Sequence, residues 1–402
     1  MNIAVVIIAY NRVDSLTRLI NSLKNAYYDE NQKVDLIISV DRSNNEEVYK
    51  YVDSIQWEYG AIFREYKEKN MGLRAHIMSC GEYFDKYNQD ALIILEDDLF
   101  VAQNYCNFAV ECVEKYSADD NIGGISLYSM ARSLHTDLTF TPLKGKYDAY
   151  FMKYAQSWGQ VWLKKQWKAF KEWYDRNLNY NFKMANIPEN VKLWPKTSWL
   201  RYHIAYCIEN DKYFVYPYES LTTNFAEPGV HYKSHTNKMQ VRLQYGEKKE
   251  YLLPNFLDKD AIKYDGFEEN EDIYKYIGVD RNDLSVDLYG LKKNINSGKR
   301  YLLTKSVYDY HVVNSYDLSL IPHERNVIEG VKGDMIFLYD TSLKDANANK
   351  GQKSRNNDIW NYYYYSPNLT KYNVTYFQLL QIIKVFLLVY KTKIKRIIRK
   401  RK

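Results

Sequence analysis

Apolar positions along the first hundred residues alternate between two rhythms. The run IAVVIIA (3–9) is continuous and β-branched, the mark of a strand buried on both faces. In the next stretch, DSLTRLINSL, Leu16, Leu19, Ile20 and Leu23 fall at i, i+3, i+4 and i+7, which predicts an amphipathic helix with Asp14 as its N-cap. The unit then repeats as VDLIISV (34–40), a polar helix over 45–57, GAIFREY (60–66), a helix LRAHIMSCGEYF, and the strand ALIIL (91–95). Such alternation predicts an α/β fold with a mainly parallel, doubly wound central sheet.

Beyond residue 102 the pattern continues with a helix NYCNFAVECVEKY, a strand IGGISLY, an aromatic-rich segment over 150–174, a helix TSWLRYHIAYCIEN and a strand YFVYP. Residues 236 to about 300 are polar with little periodicity, and shorter apolar runs follow in RYLLTKSVYDYHVV and GDMIFLYD. The expected organisation is a larger α/β domain over 1–235, a smaller accessory region of mixed structure over 236–375, and a basic amphipathic helix over 376–402. In that last segment Gln378, Gln381, Lys384, Lys391 and Lys395 form one polar stripe, with Leu379, Leu380, Ile383, Phe386, Leu387 and Tyr390 opposite. Its apolar stretch would rise only about 18 Å against a hydrocarbon core of about 30 Å, so it is expected to lie on an anionic membrane surface rather than to span it.

The strand ALIIL runs straight into Glu96, Asp97 and Asp98. Adjacent acids repel and lose solvation at the end of a buried strand, so they need partners. Ligands of open α/β sheets bind beyond the carboxyl ends of the strands, where Tyr10, Arg12, Asp41 and Asn70 also fall. Mg²⁺ or Mn²⁺ prefers carboxylate oxygen and commonly bridges it to substrate phosphates. Alternation sends Asp97 and Asp98 to opposite sides, so one of them is the better metal ligand. A solvated strand end, or a cap for the following helix, is the other reading of the same three residues.

Charge narrows the partners. The formal +6 belongs to the last twelve residues, which hold eight Lys or Arg; the remainder carries 48 basic against 50 acidic groups, so no nucleic-acid footprint is expected. The four cysteines show no CxxC spacing and read as reduced thiols of a cytosolic compartment. The opening MNIAVVIIAYNR lacks the features of a signal peptide, so the fold is expected to begin at residue 2. The 41 tyrosines supply surfaces that can stack on rings and hydrogen-bond hydroxyls, or reflect a compositional bias.

With these motifs in view, the N-terminal 235 residues resemble a GT-A glycosyltransferase, similar to family 2 enzymes and to bacterial capsule and lipopolysaccharide glycosyltransferases. VVIIAYNR resembles the first strand and nucleotide loop of that fold, which places Tyr10 and Arg12 against the base and phosphates. IISVDRS resembles the second strand, whose acid, here Asp41, contacts uracil or ribose. NMGLRAHI resembles the Asn-x-Gly helix start, which puts Asn70, Gly72 and Arg74 near the diphosphate. EDDL is similar to the metal site, with Asp98 the expected ligand, Asp97 turned to ribose or a water ligand, and His231 of NFAEPGVH either a metal or diphosphate ligand or a surface loop residue. Trp158, Trp162 and Trp167 read as sugar platforms or as packing.

The resemblance implies an inverting transfer from a nucleotide-sugar, UDP-linked, to a glycan or lipid-linked acceptor in surface polysaccharide synthesis, with Mn²⁺ or Mg²⁺. It also implies a peripheral place on the cytoplasmic face of a bacterial inner membrane. One departure stands out: Leu200 and Arg201 of SWLRY occupy the place where the family's base is expected. Glu227, Glu209 and Asp211 are the acids that could substitute. Two rivals stay open. A sugar-nucleotidylyltransferase would need a Gly-rich first loop that AYNRVDSL lacks, and a non-catalytic membrane-bound interaction protein could keep the same fold.

Overall fold

A computed structural model of the protein describes residues 1–133, 135, 140–225, 227, 239–292, 298–345, 383 and 387. The chain divides into two compact units, one of residues 1–131 and 142–275, the other of 132–141 and 276–402. The first unit therefore runs on past 235.

In chain order the first unit contains β1 (Ile3–Ala9), α1 (Val13–Lys24), β2 (Val34–Val40), α2 (Glu46–Ser54), β3 (Ile62–Tyr66), α3 (Leu73–Cys80), α4 (Tyr83–Lys86), β4 (Ala91–Glu96), β5 (Leu99–Val101), α5 (Tyr105–Tyr116) and β6 (Ile122–Ser126). There follow β7 (Ala149–Met152), β8 (Gln160–Leu163), α6 (Lys164–Arg176), α7 (Glu189–Leu193), α8 (Leu200–Glu209), β9 (Tyr213–Pro217), β10 (Thr222–Asn224) and β11 (Lys263–Tyr264). Nine strands make one sheet in the order β11-β7-β9-β6-β8-β4-β1-β2-β3, and β10 and β5 make a two-stranded ladder. Every residue of β1 is buried, as its unbroken apolar run predicts. Leu16, Leu19, Ile20 and Leu23 of α1 are buried against one face, each contributing roughly 1.5–3 kcal/mol.

The sheet is less uniform than expected. β7, β8 and β11 run against the other six. Among the described residues no helix lies between β6 and β7 or between β7 and β8, in contrast to the helical crossovers that keep β1 to β4 parallel. The helix expected through residue 84 ends at Cys80 and is followed by the short α4; Gly81 between them lies against Trp167 of α6, where a Cβ would not fit. Cys80, Cys106, Cys112 and Cys207 are buried free thiols.

α9 (Tyr274–Ile277) leads into the second unit, which holds β12 (Leu284–Asp287), β13 (Tyr301–Thr304), β14 (Tyr310–Tyr316), α10 (His323–Ile328) and β15 (Ile336–Lys344). Its four strands pair in the order β12-β13-β15-β14, over a small core of Leu302, Phe337 and Tyr339. β12 lies in the stretch that sequence periodicity leaves blank. Among the described residues no helix is long and apolar enough to cross a membrane. The expected tail helix falls outside the described residues except for Ile383 and Leu387, which are helical, four positions apart and exposed.

Candidate active site

β1 and β4 are parallel neighbours in a register that sets Ile8 against Glu96. The two chains therefore leave the sheet side by side, and Arg12, four residues beyond Ile8, meets the acids that follow Glu96. Its guanidinium is paired with Asp97 and lies 3.4 Å from Asp98 Oδ2. Asp97 is almost fully buried, whereas Asp98 and Arg12 keep 15% and 28% of their side-chain surface open to solvent. Asp98 is thus the carboxylate of the pair with the better access to a ligand.

One guanidinium serves three acids. Burial pushes the Glu96 carboxyl up to about 8, and the neighbouring charges of Asp98 and Asp97 push the same way. Burial raises Asp97 to about 6, although Arg12 and the Tyr10 amide pull it down. Glu96 is half-buried and takes no hydrogen bond from the described residues. The site carries a surplus of negative charge at the edge of the sheet.

The short β10–β5 ladder brings a second segment to the same place. Asn224 pairs with Leu99, Asn224 Nδ2 donates to Asp98 Oδ1 at 3.1 Å, and the Phe225 amide donates to the Asp98 carbonyl. Two residues on, Glu227 is fixed to α1: Arg18 Nη1 and Nη2 donate to its two oxygens at 2.8 Å each, and Ser15 Oγ donates as well. The Arg18 guanidinium also covers the Phe225 ring at 3.9 Å. The Arg18 hydrogen bonds hold the Glu227 carboxyl down at about 2 despite partial burial. A carboxylate so held is a poor proton acceptor, and in this arrangement Glu227 clamps its segment to α1.

The other expected residues divide between two places. Tyr10 is exposed at the end of β1, beside the acids. Asp41 is buried, and its oxygens accept from the amides of Arg42, Met71 and Gly72 at 2.9, 2.8 and 3.0 Å. Asn70 Oδ1 shares the Gly72 amide, and Gly72 takes φ +72°, a conformation that suits glycine. Asp41 and Asn70 thus organise the loop before α3, and the amide expected to face a diphosphate is already bonded. Arg74 points elsewhere: Nε donates to the Tyr174 hydroxyl, Nη1 donates to the Lys196 carbonyl, and the guanidinium lies over the Tyr202 ring at 4.5 Å.

Glu209 and Asp211 are not brought to the acids. They precede β9, which runs in the direction of β4, so they sit at the amino-terminal edge of the sheet. Glu209 accepts from the Tyr180 hydroxyl, and Asp211 pairs with Lys153 at 2.8 Å. Leu200 and Arg201 begin α8, where Arg201 donates to the Trp194 carbonyl and stacks on Phe182 at 3.5 Å. Trp162 and Trp167 are buried and stacked on each other at 3.5 Å, which is packing; Trp158 is half-buried against Tyr128. His231 lies outside the described residues.

Among the described residues no group of three or more His, Cys, Asp or Glu is arranged to hold a metal ion. The donors that are present nonetheless suit a hard divalent cation. Asp98 offers a partly exposed carboxylate oxygen with Asp97 beside it, and Arg12, the one guanidinium on the pair among the described residues, leaves negative charge uncompensated.

The family model for glycosyl transferase family 2 matches residues 4–181. Over these residues, which are less than half of the chain, the protein is similar to family 2 glycosyltransferases. Its mixed α/β core, with a large and mainly parallel sheet, is consistent with the GT-A arrangement the sequence implies. Arg12, Asp97 and Asp98 lie inside the matched residues, while Asn224 and Glu227 lie beyond them. No curated protein matches the chain.

Solved structures similar to it include TarS 1–349 from S. aureus with UDP-GlcNAc, at 13% identity over 57% of this chain and 60% of that one, with a TM-score of 0.39. GalNAc-T7 with UDP, GalNAc and Mn²⁺ is similar at 16% identity over 54% and 43%, TM-score 0.37. The mannosyltransferase PcManGT from Pyrobaculum calidifontis, with GDP-Man and Mn²⁺, is similar at 10% identity over 41% and 45%, TM-score 0.29. The chain spans about 60% of the TarS segment.

Asn224, Arg18 and Ser15 were not evident as site residues from sequence. Asn224 gave no signal because its neighbour is set by a two-stranded ladder whose three-residue strands are too short to show a period. Arg18 sits on an amphipathic helix among other polar positions, where any charged residue satisfies the pattern.

Proposed function

We propose that the protein is a glycosyltransferase that moves a sugar from a nucleoside diphosphate sugar, UDP-linked, to a glycan or lipid-linked acceptor. The observation that carries this is the Asp97–Asp98 pair at the carboxyl end of β4, next to Arg12, within the residues similar to family 2 glycosyltransferases. Asp98, with Asp97, would hold Mg²⁺ or Mn²⁺, whose chemistry when bound is to neutralise the departing diphosphate. Arg12 presents a planar fork suited to phosphate oxygens. Asn224 fixes the rotamer of Asp98, and the Arg18–Glu227 clamp fixes the segment that carries Asn224. Tyr10, exposed at the mouth, is available to stack on the base.

The cellular setting we propose is surface polysaccharide synthesis at the cytoplasmic face of a bacterial inner membrane. Support comes from the eight Lys and Arg in the last twelve residues, each contributing roughly 1 kcal/mol near anionic lipid, and from the exposed apolar pair Ile383 and Leu387.

A second reading, a binding protein on a transferase fold, is favoured by Leu200 and Arg201 and by the clamped state of Glu227. One experiment separates the two. Nucleoside diphosphates and their sugars are screened by thermal shift with and without Mn²⁺, since a ligand of the native state raises its stability by mass action, and any hit is assayed for donor turnover. Metal-dependent binding with turnover supports the transferase; binding without Mn²⁺ dependence and without turnover supports the second reading.

A further inference from the structure

Arg12 stands between the two carboxylates to which the metal ion is assigned above. Its guanidinium is paired with Asp97 and reaches within 3.3 Å of Asp98, so it bridges both. Two cations cannot share those oxygens without strong mutual repulsion in a partly desolvated setting. Arg12 can leave only if another anion receives it, because its charge is partly buried and would otherwise lose its partner.

The ordered acids nearby do not offer that place. Among the described residues, Glu227 is held by Arg18 and Ser15, and Asp41 is bonded to three backbone amides. A nucleoside diphosphate supplies the missing anion, and its oxygens match the guanidinium fork bidentately.

We infer that Arg12 is a competing occupant of the Asp97–Asp98 seat, so that the diphosphate, by drawing Arg12 away, admits the divalent ion. Arg12 therefore couples metal binding to nucleotide binding and keeps the resting site closed to free metal. This rests on the transferase reading above and adds to it a role for one residue in the order and linkage of ligand binding. By linkage the coupling is reciprocal, and a factor of roughly 5–150 is the usual range.

The test measures free Mn²⁺ by its paramagnetic resonance signal during titration of the full chain, with and without UDP, in mildly alkaline buffer. Wild type is compared with Arg12→Gln, and folding of each is checked by circular dichroism. UDP ligates Mn²⁺ itself, so linkage in the wild type does not decide the matter; the comparison with the variant does. Arg12→Gln is expected to bind Mn²⁺ without nucleotide about fivefold or more tighter than wild type, and to show a smaller gain on adding UDP.

A variant that binds Mn²⁺ alone no tighter than wild type overturns the inference. If Arg12→Gln does not fold, Arg12→Met carries the test: its uncharged side chain cannot compete for the carboxylates, so Mn²⁺ again binds more tightly than to wild type, and equal or weaker binding overturns the inference. A wild-type protein that takes up neither Mn²⁺ nor UDP, even together, overturns the transferase site itself.

Discussion

Glu227 and Arg18 face each other through two parallel hydrogen bonds of 2.8 Å, joining the segment after β10 to helix α1. Because this pairing depresses the carboxyl to about 2, below its ordinary range, the stability it contributes is present above the unfolded value near 4.5 and is lost as pH falls towards 2. Glu227→Gln is expected to lower stability at neutral pH by about 1 kcal/mol after solvent screening, with the gap to wild type closing under acid. Urea midpoints for the two proteins at neutral and strongly acid pH measure this. The same variant should keep donor turnover within tenfold, since losing a true general base costs roughly 10²–10⁴-fold.

Asp98 is the exposed member of the acid pair, and its orientation depends on Asn224. Asp98→Asn should reduce kcat/KM by about 10²-fold or more and remove the sensitivity of the remaining rate to EDTA. Asn224→Leu should cost less and act mainly through weaker Mn²⁺ dependence, because the carboxylate remains. Steady-state rates across a Mn²⁺ series compare the two, and a fully active Asp98→Asn protein would exclude the metal role assigned here.

His203 lies in an aromatic cage on α8, stacked on Phe170 at 4.0 Å with Trp167, Trp199 and Phe214 around it, and neither ring nitrogen has a hydrogen-bond partner among the described residues. Burial lowers its pKa to about 3. A group whose folded pKa lies below its unfolded value of about 6.5 takes up protons on unfolding, so it costs stability as pH falls below 6.5, at roughly 1.4 kcal/mol per pH unit. His203→Phe should keep the stack, leave Tm unchanged or higher at neutral pH, and move the acid unfolding midpoint to lower pH. Thermal unfolding across a pH series is the measurement.

Arg74 joins the start of α3 to Tyr174 of α6 and to the carbonyl of Lys196. Arg74→Met should lower stability by about 1–2 kcal/mol through the lost hydrogen bonds and ring contacts, while the KM for the nucleotide-sugar stays within twofold. A large rise in KM with stability intact would return Arg74 to the phosphate role its motif suggests.

The parts of the structure that sequence reveals are those in which one residue's surroundings follow from its own strand or helix. The run 3–9, the apolar stripe of α1 and the acids ending β4 all fall into place because burial imposes a period on each. Arg12 beside the acids follows one step later, from parallel pairing of β1 with β4. Prediction fails where a contact joins distant segments without a period to mark it. NMGLRAHI reads as a phosphate loop, yet Asp41 consumes the Gly72 amide, and Arg74 is drawn off by two tyrosines more than a hundred residues away or close to it. Trp162 and Trp167 look alike as stacking platforms or core until the 3.5 Å stack between them shows that each is the other's partner. Glu209 was close to the expected base in sequence, but α8 carries it to the opposite edge of the sheet.

The three-residue ladder of β10 with β5 has a consequence for the nascent chain. Asp97 and Asp98 emerge from the ribosome long before Asn224, Phe225 and Glu227, the segment that orients Asp98 and is fastened to α1. A partly synthesised chain therefore lacks the brace that orients Asp98, and the arrangement around these acids is complete only after translation has passed residue 227.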